Sequence, residues 1–199
     1  MKKILIACEE SQTVCKAFRE LGFEAYSNDI QDCSGGKPEW HLKMDCFEAI
    51  KLDNWDLMIA HPPCTNLAVS GMRWFKEGIK PEYLKEEALN FVRKLLSVNI
   101  KHIALENPVS IISTHIRKPN QIINPYQFGH PEQKKTCLWL KNLPLLEETN
   151  NVYDYMMTLP IRERTRIHYL GSNKSKERSK TYKGIAEAMA KQWGNYYFL

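Results

Sequence analysis

The sequence predicts an α/β fold in which a mostly parallel sheet is flanked by helices. Short apolar runs typical of buried strands alternate with amphipathic helical patterns along much of the 199 residues. Polar residues follow these runs directly, at the strand ends where open parallel sheets bind their ligands. We therefore expect one domain with its site at the carboxyl edge of the sheet.

Each element is predicted from a local pattern. Ser11 suggests the N-cap of the first helix, and Gly22 its end. Residues 161–169 alternate in part and favour a late strand. The other expected strands are 3–8, 24–27, 55–60, 103–105 and 137–140, and the expected helices are 12–21, 46–52, 81–98 and 185–193.

The composition, with 43% hydrophobic and 26% charged residues, is ordinary for a globular protein. No apolar run approaches the length of a membrane span, and the first residues do not resemble a signal peptide. We expect a cytoplasmic protein with no membrane partner. The six cysteines form no C-x-x-C pair and no zinc-type cluster with histidine, so no metal is expected.

Positive charge is concentrated late in the chain. Residues 160–183 carry eight Lys/Arg and two Glu, whereas the net charge of the whole chain is +5. A basic segment on a near-neutral body suits a phosphate-bearing partner, and a solvated flexible loop is the alternative interpretation. On a strand, Arg162, Arg164 and Arg166 would share one face and could grip phosphates or contact a guanine edge.

Acidic residues follow the first two predicted strands. Asp29 lies 21 residues after Cys8, about the spacing at which a nucleotide-binding sheet offers a carboxylate to ribose hydroxyls. Asp45 could accept a hydrogen bond from an adenine amino group. Both residues could instead cap loops. The first turn, CEESQ, has two acids and no glycine, which disfavours a pyrophosphate but tolerates the ammonium and sulfonium groups of S-adenosylmethionine.

The stretch His61-Pro62-Pro63-Cys64 follows the strand at residues 55–60. Two prolines fix two φ angles and would hold the thiol in a rigid loop, as a nucleophile requires. Glu106 ends the next strong strand and could face the same cleft. A thiolate that adds to C6 of a pyrimidine, with a carboxyl group at N3, makes C5 nucleophilic. A structural loop with an incidental cysteine is the alternative.

These residues resemble motifs IV and VI of the cytosine-C5 DNA methyltransferases, in particular the small versions found in bacteriophage and prophage genomes. The resemblance covers residues 3–145 and 178–194 and is carried by the stretches ACEESQTV, SNDIQDCSGGKPEWH, HPPCTNLAVSG, ALENP, KKTCLWLKNLP and RSKTYKGIAEAMAKQWG. It implies a Rossmann-like class I S-adenosylmethionine-dependent fold, with residues 1–140 and 179–199 as the catalytic domain and 141–178 as a short target-recognition insertion.

The resemblance also implies individual roles. Cys64 would be the nucleophile, Glu106 would contact cytosine N3, and Lys135 would stand for an arginine of the family's Q-x-R-x-R motif. The substrate would be duplex DNA with a flipped cytosine, and Thr65 would contact nucleic acid. The three arginines lie outside the resemblance, and their expected contact with nucleic acid rests on their alternation alone. Binding of S-adenosylmethionine would involve Ala7, Cys8, Glu9, Ser11, Gln12, Asp29, Ile30, Asp45, Cys46 and Pro62.

The chain departs from the family pattern at several places. The first motif lacks its glycines, Thr65 replaces the usual glutamine after PC, and Pro108 replaces the valine of ENV. The recognition region is also short, and residues 172–183 suggest a loop that orders on nucleic acid. Two alternatives therefore stay open. The same chemistry could act on single-stranded DNA, RNA or a free cytidine nucleotide, or the chain could be a catalytically weak relative that binds a nucleotide or protein as a decoy.

Overall fold

The computed structural model describes residues 2–171 and 174–196, in which seven strands form one sheet. The strand order across the sheet is β3-β2-β1-β4-β5-β7-β6. The strands are β1 (Lys3–Ala7), β2 (Glu24–Asp29), β3 (His41–Lys43), β4 (Leu57–Ala60), β5 (His102–Pro108), β6 (Gln121–Ile123) and β7 (Thr136–Lys141).

Helices connect the strands and cover both faces of the sheet. They are α1 (Thr13–Glu20), α2 (Cys46–Lys51), α3 (Arg73–Lys76), α4 (Tyr83–Ser97), α5 (Ile112–His115), α6 (Tyr153–Thr158), α7 (Ile161–Arg164), α8 (Ser175–Ser179) and α9 (Lys183–Asn195). None of these helices in the described residues is long and apolar enough to cross a membrane.

The first five strands run parallel, and β7 is antiparallel to both of its neighbours, β5 and β6. The chain moves outward from β1 to β2 and β3 and then returns to β4 on the other side of β1. The strand order therefore reverses between β1 and β4, which is where open α/β sheets place their binding crevice. The predicted α/β fold with a mostly parallel sheet is confirmed.

The sheet separates two apolar layers because successive strand residues point to opposite faces. Ile4 and Ile6 of β1 join a layer formed with α1 and α9, whose Trp193 is fully buried. Leu5 joins the opposite layer, which contains α4 and the buried Trp139 of β7. With both faces covered, the ligand-accessible part of the sheet is its carboxyl edge.

The start of α1 differs from the prediction. The N-cap is Gln12, which has a left-handed conformation at φ 58° and provides no side-chain cap, so the assignment of Ser11 as the N-cap is wrong. The Glu9 carboxylate takes over this role. Its Oε1 accepts from the Val14 amide at 2.6 Å and its Oε2 from the Cys15 amide at 3.2 Å.

The predicted strand at residues 161–169 is also wrong. This segment forms α7 and the 3₁₀ turn Arg166–Tyr169. These residues form an exposed short helix. Arginines two positions apart share a face on a strand but not on a helix, so their alternation does not define a common face here. Part of the predicted loop, residues 172 and 173, lies outside the described residues; the remainder contains α8 and the start of α9.

Candidate active site

Cys64 lies in a tight turn beyond the end of β4, beside the point where the strand order reverses. The His61 amide donates to the Ala7 carbonyl at 2.9 Å, which extends the pairing of β4 with β1. After the two prolines, the Cys64 carbonyl accepts from the amides of Leu67 and Ala68 at 3.0 and 2.8 Å. The thiol is half-buried. It is therefore fixed by backbone bonds on both sides and remains accessible from the crevice.

Glu106 and Asn107 bring β5 to the same place. The Asn107 amide Nδ2 donates to the Pro62 carbonyl at 2.8 Å, and Asn107 is itself buried. Glu106 has a side chain that is 13% exposed. Burial and the negative charge of Glu106 raise the pKa of the Cys64 thiol. The carboxyl group and the thiol thus face one site, as the sequence predicts, and their roles in catalysis stay predictions.

His61 is a site residue to which sequence reasoning gave no role. Its Nδ1 lies 3.0 Å from Oε2 of Glu106. Burial acts to lower the pKa of His61, but the hydrogen bond with Glu106 and the charges of Glu106 and Glu9 outweigh it and raise that pKa. Burial acts to raise the pKa of Glu106, but His61 and Lys134 lower it overall. The pair therefore favours an imidazolium beside a carboxylate.

Two cations oppose the unfavourable burial of the thiolate. The charges of Lys134 and Arg178 both act to lower the pKa of Cys64, although burial prevails. Lys134 Nζ donates to the Arg178 carbonyl at 2.8 Å, so the two residues are held together. Lys135, the predicted arginine substitute, is exposed, and its charge acts on Cys137. Lys134, the residue one place earlier, was missed because sequence alignment with the motif selects Lys135.

The acidic residues after β2 and β3 lie around Cys8. A hydrogen bond from the Cys8 thiol to Cys46 raises the pKa of Cys8, with burial and the charges of Asp29 and Asp45 adding to the effect. Asp29 accepts from the Gln31 amide at 3.0 Å, and Asp45 caps α2 through the Phe47 amide at 2.8 Å. These four residues form one acidic cluster with two thiols at the edge of β1 and β2.

This cluster and its surroundings fit S-adenosylmethionine. Ile30 is 74% exposed directly after Asp29, so an apolar surface for a base adjoins a carboxylate for ribose hydroxyls. The start of α1, where a phosphate often binds, already holds the Glu9 carboxylate. A second anion there would be repelled by Glu9. The donor set therefore suits a nucleoside with a positively charged tail better than a dinucleotide.

The remaining predicted cofactor residues have other contacts. Gln12 is buried and binds the Ser27 hydroxyl at 3.1 Å and the Lys37 carbonyl at 2.7 Å, so its side chain secures the loop after β2. The Ser11 hydroxyl lies 3.1 Å from that of Thr13. Ala7 and Pro62 are buried at the ends of β1 and β4. A contact with the cofactor stays a prediction for each of these residues. Thr65, which the sequence assigns to nucleic-acid contact, is exposed next to Cys64, and that contact also stays a prediction.

The three arginines of the predicted recognition region have different surroundings. The Arg162 guanidinium lies over the Tyr169 ring, 5.2 Å from its centroid. Arg164 donates to the Met157 sulfur at 2.8 Å. Arg166 pairs with Glu132 and Glu177. They do not share a strand face, and Arg166 is neutralised by two carboxylates. In the described residues, no group of three or more His, Cys, Asp or Glu side chains could hold a metal ion.

No protein-family model matches the chain, and no curated protein matches its sequence. Among solved structures, the Entamoeba histolytica methyltransferase EhMeth is 16% identical with a TM-score of 0.51, over 76% of this chain and 57% of that one. An E. coli protein described as a DNA modification methyltransferase encoded within a prophage is 11% identical with a TM-score of 0.47, over 70% of this chain and 46% of that one. The S. pombe Dnmt2 methyltransferase is 14% identical with a TM-score of 0.45, over 98% of this chain and 66% of that one.

The chain spans about half the length of the first two of these proteins. The likeness to EhMeth shows that the chain has the fold of a Rossmann-like methyltransferase, with a mostly parallel sheet between two layers of helices. The fold class implied by the sequence resemblance is therefore confirmed.

Proposed function

We infer that the protein is an S-adenosylmethionine-dependent methyltransferase that transfers a methyl group to C5 of cytosine in DNA. The observation that carries this proposal is the convergence of Cys64, beyond the end of β4, with Glu106, near the end of β5. The Asn107–Pro62 hydrogen bond of 2.8 Å joins the two segments that carry them. A nucleophilic thiol and a carboxyl group are the two groups that a pyrimidine needs for activation at C5. The neighbouring acidic cluster would bind the methyl donor.

Each protein group has a defined part in this reaction. Lys134 and Arg178 stabilise the thiolate of Cys64 once its proton has left to solvent. The sulfur of Cys64 forms a bond to C6 while Glu106 supports N3, so that electron density moves to C5. When bound, S-adenosylmethionine supplies the methyl group that C5 takes. Loss of the C5 proton to solvent then restores the C5–C6 double bond, and the bond from C6 to Cys64 breaks.

The acidic cluster supports the proposed methyl donor. Asp29 would bind the ribose hydroxyls, Ile30 would cover the adenine ring, and Asp45 would accept from the adenine amino group. The Asp45 carboxylate also caps α2 through its Oδ1 atom, so Oδ2 is the oxygen available to a ligand. Glu9 would face the positively charged end of the ligand and would disfavour phosphate-bearing cofactors.

DNA is the proposed acceptor because two cations, Lys134 and Arg178, act on the thiol, and Arg178 belongs to the basic segment at residues 160–183. Enzymes that act on a base must take it out of the stack or use a single strand. The short insertion at residues 141–178 suggests a short or relaxed recognition sequence. A bacteriophage or prophage protein of this kind would act in the cytoplasm of the bacterial host and protect DNA against restriction.

A labelling experiment tests the activity and the acceptor together. The full-length protein is incubated with tritiated S-adenosylmethionine and, in separate reactions, duplex DNA, single-stranded DNA, RNA and cytidine nucleotides. We expect label at C5 of cytosine in duplex DNA. If label appears only in another reaction, the substrate of that reaction is the acceptor, and duplex DNA is not. No label in any reaction, with the methyl donor or nucleotide still bound, would favour the binding-only decoy.

A second experiment tests the nucleophile. Duplex DNA with 5-fluorocytosine should trap a covalent adduct because the fluorine on C5 cannot leave as a proton does. Cys64→Ser should abolish the adduct and retain methyl-donor binding, whereas Cys33→Ser, at another half-buried cysteine, should trap normally. An adduct of undiminished yield with Cys64→Ser would exclude Cys64 as the nucleophile.

A further inference from the structure

The His61 ring is buried between the ends of β1, β4 and β5, and the proposed methyl transfer gives it no role. Its side chain is 9% exposed, and its Nδ1 lies 3.0 Å from Oε2 of Glu106. The other ring nitrogen, Nε2, is buried without a hydrogen-bond partner among the described residues. Glu106 is therefore the group that the ring binds and orients.

The backbone around this pair is rigid. The His61 amide is bonded to β1 through Ala7 at 2.9 Å, and Pro62 and Pro63 follow directly. Asn107, next to Glu106, is bonded to Pro62 at 2.8 Å. The main-chain positions that carry the imidazole and the carboxyl group are consequently fixed relative to each other, and burial limits the movement of both side chains. A buried pair held in this way is placed to control both the orientation and the protonation of Glu106.

We propose that His61 is a positioning residue which holds Glu106 toward the base and stores the proton that Glu106 lends to cytosine N3. This inference rests on the proposed function and adds to it the source of the N3 proton. Glu106 cannot donate to N3 as a carboxylate, because an ionised carboxylate is an acceptor only. A neighbouring imidazolium removes this difficulty.

The proton returns to its origin over one catalytic cycle. As Cys64 adds to C6, the N–H bond at His61 Nδ1 breaks, the Glu106 carboxylate takes the proton, and the resulting acid passes it to N3. The N3–H bond forms with the electron pair that the new C6–S bond displaces into the ring. When the C6–S bond breaks, N3 gives the proton back through Glu106 to His61, so no net proton is gained or lost at the pair.

Charged groups on three elements face His61. Glu106 comes from β5, Glu9 from the turn after β1, and Lys134 from the segment before β7. The two carboxylates favour the imidazolium and the lysine opposes it, and the net result is a raised pKa for His61. The proton is therefore present below this pKa and is lost as the pH rises through it, so the rate should fall on the alkaline side.

His61→Asn separates storage of the proton from orientation. The asparagine Nδ2 can still donate to Glu106 but does not titrate, whereas His61→Ala loses both properties. We expect kcat of His61→Asn to fall about 100-fold, the lower end of the range of general acid–base catalysis, with KM for DNA within twofold and no alkaline fall due to His61. His61→Ala should lower kcat further and raise KM. A wild-type rate and pH profile for His61→Asn would overturn the inference.

A measurement that does not depend on catalytic activity tests the inference even if the His61 variants misfold. Nuclear magnetic resonance of ¹³C-histidine-labelled full-length protein should give His61 a pKa above its ordinary value, and Glu106→Gln should lower it. A His61 pKa that Glu106→Gln leaves unchanged would overturn the inference directly. If the wild-type protein methylates no cytosine while His61 titrates as expected, the proposed function fails and the pair has only a structural role. If the wild-type protein methylates cytosine and His61→Asn has the wild-type pH profile, the inference about His61 fails and the proposed function stands.

Discussion

The side-chain amide of Asn107 donates a hydrogen bond of 2.8 Å to the main-chain carbonyl of Pro62. This bond crosses from β5 to the turn after β4. It therefore joins the segment that carries Glu106 to the segment that carries Cys64. The separation of the thiol and the carboxyl group is set by one buried amide, with the β4–β5 pairing of Ala60 and Leu105 beneath it.

Removal of this amide should cost both stability and activity. Asn107→Ala leaves the Pro62 carbonyl without its donor, and an unsatisfied buried polar group costs about 1–3 kcal/mol. We expect the free energy of unfolding in urea to fall by about this amount and kcat to fall more than KM rises. Asn90→Ala, at an exposed position of α4, is the control and should change neither quantity appreciably. Equal effects of the two substitutions would show that the bond to Pro62 is unimportant.

Lys134 should control the reactivity of Cys64, and Lys135 should not. The Lys134 charge lowers the pKa of Cys64, so Lys134→Met should raise that pKa and reduce the thiolate fraction. A charge interaction of about 1 kcal/mol corresponds to about a fivefold slower alkylation by iodoacetamide at pH 8. Mass spectrometry of the Cys64 peptide measures this rate. Lys135→Met should leave the alkylation rate unchanged. A larger effect from Lys135→Met than from Lys134→Met would show that Lys135, the lysine at the motif position, controls the reactivity of Cys64.

Arg162 and Arg166 should affect DNA binding differently. Arg166 already pairs with Glu132 and Glu177, whereas Arg162 lies exposed over Tyr169. We expect Arg162→Ala to reduce the salt dependence of DNA binding by about one unit of slope, as loss of one phosphate contact does. Arg166→Ala should mainly lower the thermal midpoint by releasing α8. Fluorescence anisotropy over a range of salt concentrations distinguishes the two, and the reverse pattern would refute this assignment of the charges.

Glu9 should give the folded protein a measurable pH dependence. Burial raises the pKa of Glu9 above its ordinary value of 4.5, although His61 and the amides at the start of α1 oppose this. The folded state therefore binds this proton more tightly than the unfolded state, and the stability contribution is lost as the pH rises through the raised pKa. We expect the difference in thermal midpoint between the wild type and Glu9→Gln, taken as wild type minus variant, to decrease from pH 4 upward. Glu20→Gln, at an exposed position, should give a constant difference, and a constant difference for Glu9→Gln would disprove the effect.

The order of the central elements could be predicted from the sequence because each one buries a regular apolar pattern. Residues 3–8 and 55–60 are almost entirely apolar and become β1 and β4, which are covered on both faces. The short edge strands β3 and β6 were missed. They have three residues each, with half-buried or exposed side chains among them, and they owe their conformation to pairing with β2 and β7. Their local sequences carry little of that information.

The site could be predicted in outline but not in its hydrogen bonds. The carboxyl ends of parallel strands meet at one edge, so Cys64, Glu106 and Asp29 were expected near one another. The partnership of His61 with Glu106 depends on the register of β4 against β5, which places Ala60 opposite Leu105. The Glu9 contacts depend on a left-handed Gln12, an uncommon conformation for this residue type. Neither feature has a local sequence pattern.

The packing of α9 against α1 has a consequence for synthesis of the chain. Val14 and Phe18 of α1 share an apolar layer with Met189 and Trp193 of α9, which lies near the far end of the sequence. While a ribosome is still making the chain, β1 and α1 emerge before α9, and this apolar surface has no cover until α9 follows. Nascent chains should therefore expose it throughout the synthesis of the intervening elements. A premature stop before Lys183 would leave a fragment with exposed apolar surface, which chaperones and proteases recognise.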